Sequence, residues 1–420
     1  MKNKDADVII IGGGIIGLSC AYYLLKEGKS VIVLEKGNPS DASSYANCGL
    51  VAPSHAMPLN SPDLILKAFK WMFKKDAPFY IKPKQSFTFW LWMAAFVLNA
   101  REKIANYNKK GKNNLLMSSK ALFNELIENN NMKCNWLNEG VLFVFLSKKA
   151  FDSHGVLNKK LSKFNPALKA TPYVGEQLQE KEPALHKNVY GGWLYPVDAS
   201  LKPDEFMHEL TRIIKNRGGK IANSAEVTAF KIENNSIIGL KTTAGFYAAT
   251  QYVMATGAWS SQLAKQLNVD IPVIPGKGYS ITMKSPSVAP QIACLLVEKK
   301  VAVTPFKNSC RLGGTMEFSG FDGKINKNRV DALKNAAKLY FKESCSEDME
   351  EEWFGYRPMT NNDLPIIDFA PQHRNFLIAA GHNMVGMSMA TGTGKLVSEL
   401  ISGKKPHIDP SYYKIKSPIN

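Results

Sequence analysis

Only six of the 420 residues are cysteine, at positions 20, 48, 134, 294, 310 and 345, and no two stand at Cys-x-x-Cys spacing. The pattern excludes a zinc knuckle, an iron–sulfur cradle and a disulfide-stapled miniature, and it predicts free thiols in a reducing compartment. Long apolar runs are missing too. The run Phe89 to Leu98 has ten residues, against the roughly 20 that a spanning helix needs. The first apolar run, Val8 to Ile11, opens directly into a glycine cluster. Cleavage there as a secretory signal would destroy the cluster, so a cytoplasmic location is expected.

Acidic residues are short relative to basic ones: 36 Asp and Glu face 53 Lys and Arg, a net charge of +17. Such an excess points to phosphate-bearing partners, either nucleic acid or an anionic membrane surface. In other respects the composition is ordinary, with 45% apolar and 21% charged residues, and the length suits two to three domains of about 150 residues.

What is present begins with Asp7 to Ile11, which reads as a buried strand; Gly12-Gly13-Gly14-Ile15-Ile16-Gly17 follows, and Leu18 to Glu27 has helical spacing. In such a unit Gly12 makes the tight turn, Gly14 lets the backbone approach a pyrophosphate, and Gly17 permits close helix packing. Ile15 and Ile16 open a helix whose free N–H groups face the anion. A second strand, Ser30 to Leu34, ends in Glu35 and Lys36. An acid at this distance accepts hydrogen bonds from both ribose hydroxyls and repels the extra phosphate of an NADP-type ligand. A purely structural turn is the alternative, and the motif does not separate FAD from NAD. Ala255-Thr256-Gly257-Ala258-Trp259, after the apolar strand Tyr252 to Met254, resembles the second dinucleotide-contact segment of flavoproteins and adds Thr256 and Gly257. Val227, beyond the strand Lys220 to Asn223, joins them. Helical stretches are predicted at Asn114 to Glu128 and Pro203 to Arg217, the second with Pro at its start and Gly218-Gly219 at its end.

Five further segments carry a resemblance. Ser43-Ser44-Tyr45-Ala46-Asn47-Cys48-Gly49, Ala68 to Phe73, Gly276-Lys277-Gly278-Tyr279-Ser280, Gly355-Tyr356-Arg357-Pro358-Met359-Thr360 and Gly381-His382-Asn383-Met384-Val385-Gly386-Met387-Ser388 resemble, in order, segments of the D-amino-acid oxidase superfamily of FAD enzymes. Within it they are most similar to the D-amino-acid dehydrogenase group. The resemblance implies an α/β fold: a Rossmann-like FAD-binding domain from 1–60, 197–272 and 355–420, and an interleaved antiparallel-sheet substrate domain of α+β type from 61–196 and 273–354. It implies non-covalent FAD and no metal. Ser43, Ser44, Asn47, Cys48 and Gly49 would touch the cofactor. Gly381, His382, Met384, Val385, Gly386, Met387 and Ser388 would present backbone donors near the flavin pyrimidine. Thr391 to Lys395 lacks phosphate-loop spacing and reads as the start of the last helix.

The activity implied is oxidative deamination of D-amino acids to 2-oxo acids and ammonia by hydride transfer from Cα to flavin N5, with a quinone or similar acceptor. D-Proline or cis-4-hydroxy-D-proline dehydrogenation, or a glycine/sarcosine-type amine oxidase using oxygen, are the alternatives. By resemblance Arg357 is the carboxylate-binding residue, a task suited to its planar fork; a structural ion pair is the plainer reading. Some relatives carry a second basic residue where this chain has Asn383-Met384-Val385, which implies a less charged pocket. Tyr279 could hydrogen-bond the carboxylate and His55 could take a proton, although a buried residue with a structural partner is the plainer account, more so for His55 than for Tyr279. Lys277 reads either as a group beside the flavin or as a solvated loop residue.

Residues 61–112 hold eleven Lys or Arg, three Asp or Glu, and Trp71, Trp90 and Trp92. Cations flanking a short aromatic run suit peripheral contact with the inner face of the cell membrane. A buried helical arm with a solvated basic face is the alternative. Nucleic acid is not expected, since no binding motif accompanies the charge.

Overall fold

The computed structural model describes residues 4–38, 43–58, 79–82, 85–343 and 348–415. Its first strand, Ala6–Ile11, is rich in isoleucine and almost wholly buried, as a central parallel strand covered on both faces must be. Val31–Leu34 and then Lys220–Ala222 run parallel on one side of it. Ala249–Met254 and His373–Ala380 run parallel on the other, and Ile366–Ala370 closes that edge antiparallel. This is the Rossmann-like half of a mixed α/β fold. Ile11 is level with both Leu34 and Met254, so Gly12, Glu35 and Ala255 leave the sheet side by side. That crevice at the carboxyl ends of parallel strands is where open α/β sheets bind ligands.

The helix Ile15–Lys26 follows the glycine turn and packs against the C-terminal helix Gly386–Ile401, where a Cβ on Gly394 would stand 2.6 Å from the Ser19 carbonyl. The last helix therefore begins at Gly386, five residues before the expected start near Thr391. Its small residues form a close-packed seam rather than a loop. The helices expected from periodicity are present as Glu102–Asn129 and Pro203–Asn216.

A second, nine-stranded sheet is mostly antiparallel. Its order is Met349–Thr360, Val273–Lys284, Ser309–Phe318, Val301–Pro305, Ala293–Leu296, Val141–Phe145, Gly191–Tyr195 and Thr171–Val174, with Phe79–Ile81 beside the end of Ser309–Phe318. The strand Met349–Thr360 runs unbroken through residue 355 and pairs with Val273–Lys284 along its length. Helix Lys327–Tyr340 packs on one face through Val330, Leu333 and Ala337. The other face meets the segment 43–56, which Arg311 ties down: its guanidinium donates to Asn47 O (3.1 Å) and Thr282 Oγ1 (2.9 Å).

Helix Phe87–Leu98 has two unlike faces. Phe89 and Trp92 are buried beside Phe318 and Met359, whereas Phe87, Trp90, Leu91, Val97 and Leu98 are exposed. Ala68 to Phe73, Trp71 and most of the basic stretch before residue 79 lie outside the described residues. No described helix is long and apolar enough to cross a membrane.

Candidate active site

A cavity of about 1140 Å³ runs between the glycine turn, the segment 43–57, the inner face of the nine-stranded sheet and the start of the last helix. At the turn, Gly12 has φ +105° and a Cβ on it would stand 2.5 Å from Ala255 O, so only glycine passes between the two strand ends. Gly14, Ile15 and Ile16 line the cavity. Gly17 does not; a Cβ there would meet Gly12 O at 1.9 Å, which places it behind the turn as the seat of the helix. The buried Glu35 carboxylate accepts from Gly13 N (2.7 Å) and Gly37 N (3.1 Å), bracing both turns while facing the cavity. Lys36 lies over the Trp259 ring, 3.6 Å from its centroid. Val227, Thr256 and Gly257 complete this end.

Ser44 Oγ accepts from Ile15 N (3.0 Å), Ser43 Oγ donates to Tyr356 O (2.8 Å), and Asn47 spans Ser44 O and Gly49 N. These contacts hold Ser43, Ser44, Asn47, Cys48 and Gly49 along the cavity wall. The Cys48 thiol fills the space over Gly313, and burial pushes its pKa up to about 11, so it packs as a neutral group. Arg311, which fixes this wall, was not singled out from the sequence; an arginine between Cys310 and Leu312 was the available signal.

The C-terminal segment closes another side. His382, Met384, Val385, Gly386, Met387 and Ser388 line the cavity, and Gly381 sits behind them against Thr360. His382 Nε2 lies 3.0 Å from Thr393 Oγ1, and burial pushes its pKa down to about 3, leaving it neutral. Ser388 Oγ donates to Leu50 O and accepts from Ala52 N. The N-terminus of Gly386–Ile401 has no side-chain cap and opens on the cavity, where its free N–H groups favour negative charge.

Arg357 reaches the cavity from the nine-stranded sheet. Its Nη1 donates to Thr315 O at 2.8 Å, and no described carboxylate forms an ion pair with it. Burial lowers its pKa from the ordinary value, though a guanidinium stays protonated at neutral pH. Trp353, four residues earlier on the same face, lays its ring over Gly355 and also lines the cavity; the sequence had not marked it.

Tyr279 requires a correction. Side chains alternate along a strand, and Gly278 and Ser280 face the cavity side, where Ser280 Oγ donates to Ala46 O. Tyr279 therefore points to the opposite face, where it packs with the helix Lys327–Tyr340 and donates to Glu317 Oε2 at 3.2 Å. It contributes backbone to the cavity wall and does not offer its hydroxyl. Lys277 shares that opposite face, buried in a strand and donating to Asp322 O and Lys324 O, so it is neither a solvated loop residue nor a cavity group.

His55 lines the cavity with its ring centroid 5.7 Å from that of Phe143; burial, then Lys112 and Lys300, push its pKa down to about 4. Its neighbour Ser54 donates from both N (2.9 Å) and Oγ (2.5 Å) to Asp198, a wholly buried carboxylate whose pKa burial raises to about 7. Neutral at physiological pH, His55 can accept a proton only weakly.

The residues present fit a flavin dinucleotide. The glycine turn and Glu35 stand at one end, Gly14 leaves its Cβ space to the cavity beside Ser44, and an uncapped helix N-terminus stands at the other end. Fold and site together define a dinucleotide-dependent oxidoreductase in which a second sheet roofs the cofactor crevice. The model of the DAO family, FAD dependent oxidoreductase, matches residues 7–400, and the chain belongs to that family; its cofactor is FAD. It is 30% identical over 408 residues to a D-amino acid dehydrogenase of Granulibacter bethesdensis and 31% identical over 408 residues to one of Vibrio atlanticus, each match covering 96% of this chain and 97% of the relative. Among solved structures, the glycine oxidase of Geobacillus kaustophilus shares the fold with a TM-score of 0.79 at 20% identity, covering 99% of both chains.

Proposed function

We propose that the chain oxidises D-amino acids to imines that hydrolyse to 2-oxo acids and ammonia, passing the electrons to a quinone or similar acceptor. The observation that carries this reading is Arg357: a part-buried guanidinium facing the cavity without an acidic partner among the described residues, in the same cavity as the glycine turn and Glu35. A cation partly withdrawn from water without a counter-ion is disfavoured, and a substrate carboxylate supplies that counter-ion. The naming of relatives at 30–31% identity supports the D-amino acid as substrate.

Bound non-covalently, FAD supplies the two-electron oxidant. Gly12, Gly14 and Glu35 would hold its phosphates and ribose, and the N-terminus of Gly386–Ile401 would favour the charge it gains. Arg357 fixes the substrate carboxylate, the Thr315 carbonyl fixes Arg357, and Trp353 walls the adjacent side. We assign 1–60, 197–272 and the chain beyond Thr360 to the cofactor domain, with Met349–Thr360 in the substrate domain because it is one uninterrupted strand of the large sheet. Peripheral contact with an anionic membrane belongs to the same reading. The exposed residues Phe87, Trp90, Leu91, Val97 and Leu98 recur at helical spacing on one face, and Lys82, Arg101 and Lys103 stand exposed nearby.

Anaerobic bleaching of the bound flavin tests the proposal. D-Amino acids should reduce it at least about a hundredfold faster than their L forms, roughly 2.7 kcal/mol of discrimination, and a quinone analogue should reoxidise it faster than oxygen. Faster bleaching by L-proline or sarcosine, or rapid peroxide formation in air, would reject it.

A further inference from the structure

The cavity extends well past the carboxylate clamp. Across the nine-stranded sheet, Gly313 pairs with Ala302, Ala302 with Leu295, and Leu295 with Phe143, and all four line the cavity. One lateral row thus grows from no side chain to a methyl, an isobutyl and a phenyl group. At about 4.8 Å per strand the row spans roughly 14 Å. Arg357 holds one end through the carbonyl of Thr315, two residues from Gly313. At the other end His55 and His154 flank Phe143 at centroid distances of 5.7 and 5.4 Å.

The chemistry of this arm is one-sided. The acids lining the cavity are Glu35 and Glu226, both at the glycine turn, where Ala225 N donates to Glu35 O. Among the described residues no carboxylate lines the arm, and its cation is Lys300. Both histidines are neutral, and His154 is engaged with Tyr195 Oη at 2.8 Å. A cationic side chain would find no counter-charge here and would meet Lys300. A small side chain would leave most of the apolar surface wet.

We infer that the arm over Ala302, Leu295 and Phe143 is the side-chain subsite, and that it selects D-amino acids with long, uncharged, apolar or aromatic side chains over small and basic ones. This rests on the reading that Arg357 binds the substrate carboxylate. Ala302 is the specificity-determining position, because its methyl sits where the row deepens toward Gly313 and any larger group would close the passage to Leu295.

The test uses the FAD-loaded full chain. Unreactive carboxylates are titrated by the change they cause in the flavin absorbance, and reduction rates are measured with D-phenylalanine, D-methionine, D-alanine and D-arginine. Wild type should bind 3-phenylpropionate at least tenfold tighter than propionate and prefer D-phenylalanine and D-methionine to D-arginine by at least a hundredfold. Ala302→Leu should lower the ratio of kcat/KM for D-phenylalanine to that for D-alanine at least tenfold and abolish the preference for 3-phenylpropionate. Equal affinities for the two carboxylates, or an unchanged ratio in Ala302→Leu, would overturn the subsite. Loss of FAD from Ala302→Leu would also overturn it, by placing the cofactor in the arm. If no carboxylate perturbs the flavin and no D-amino acid reduces it, the functional reading itself fails.

Discussion

The guanidinium of Arg357 occupies the place where a side chain at Gly278 would begin: a Cβ on Gly278 would stand 2.0 Å from Nη1. The two residues lie on neighbouring strands of one sheet, Gly278 level with Gly355, and the absent side chain lets the planar fork lie flat on the sheet and reach Thr315 O. Gly278→Ala should therefore displace Arg357 without touching the cofactor. We expect a rise in KM of about ten- to a hundredfold, equivalent to about 1.4–2.7 kcal/mol, with FAD content and absorbance unchanged. Arg357→Lys should give a similar loss, since charge remains and the fork is gone. Stopped-flow reduction over a range of substrate concentrations checks both.

Glu35 braces the turns at Gly13 and Gly37 as well as facing the cavity. Glu35→Ala should weaken FAD by about 1.5–3 kcal/mol, the range for hydrogen bonds to a charged group, or roughly ten- to a hundredfold in Kd. Equilibrium dialysis measures it. An unchanged Kd would remove Glu35 from the cofactor site.

The buried Asp198 gives a pH prediction. Its pKa is raised by burial from 3.8 to about 7 in the folded protein, so between these values the native state holds a proton that the unfolded chain releases. Stability from this group is greatest below about pH 4 and falls as pH rises to about 7. Asp198→Asn keeps partners for Ser54 and removes the titration. Relative to wild type, it should gain on the order of 3–4 kcal/mol between pH 4 and pH 8. The neutral His55, His154 and His382 push stability the other way, gaining as pH rises toward 6.5 from about 4 for His55 and His154 and from about 3 for His382, and this trend cancels in the comparison. Urea unfolding at several pH values decides it; parallel curves would show that Asp198 does not titrate.

Trp90 and Trp92 stand two residues apart on one helix and should respond differently. Trp90 is 48% exposed, whereas Trp92 is 6% exposed and donates from Nε1 to Pro272 O. Trp90→Ser with Leu91→Ser should reduce flotation on anionic liposomes at least fivefold and leave thermal stability within a few degrees. Trp92→Ala should cost about 3–5 kcal/mol of stability. Equal flotation of the double variant and wild type would remove this helix from the membrane contact.

Much of the fold was legible because its signals are local. A buried strand, a glycine turn and an acid at the end of the next strand lie within 30 residues of one another and need no knowledge of the rest of the chain. Arg357 was legible through the segment around it. What escaped depends on the sheet: which face Tyr279 and Lys277 occupy is set by strand pairing and by the helix Lys327–Tyr340, and the proline and two glycines around Lys277 read as a loop until its partner strands are known. Likewise, Thr391 to Gly394 has poor intrinsic helix propensity, and it is helical because Ser19 and Ser119 pack against it. The Trp pair shows the same limit, since both an exposed ring and a core ring satisfy one composition.

The seam between Ile15–Lys26 and Gly386–Ile401 also sets a timetable. The first helix is buried on nearly every side, yet the partner that covers it is made about 360 residues later. At about 5–20 residues per second on the ribosome, the glycine turn waits on the order of 20–70 seconds for the surface that completes it. During that interval the cofactor cannot be enclosed, and an apolar helix beside a nucleotide-ready turn is open to chaperones, to proteases and to other nascent chains. A protein stalled or truncated before Gly386 should therefore be colourless and aggregation-prone despite carrying the whole nucleotide motif at its beginning.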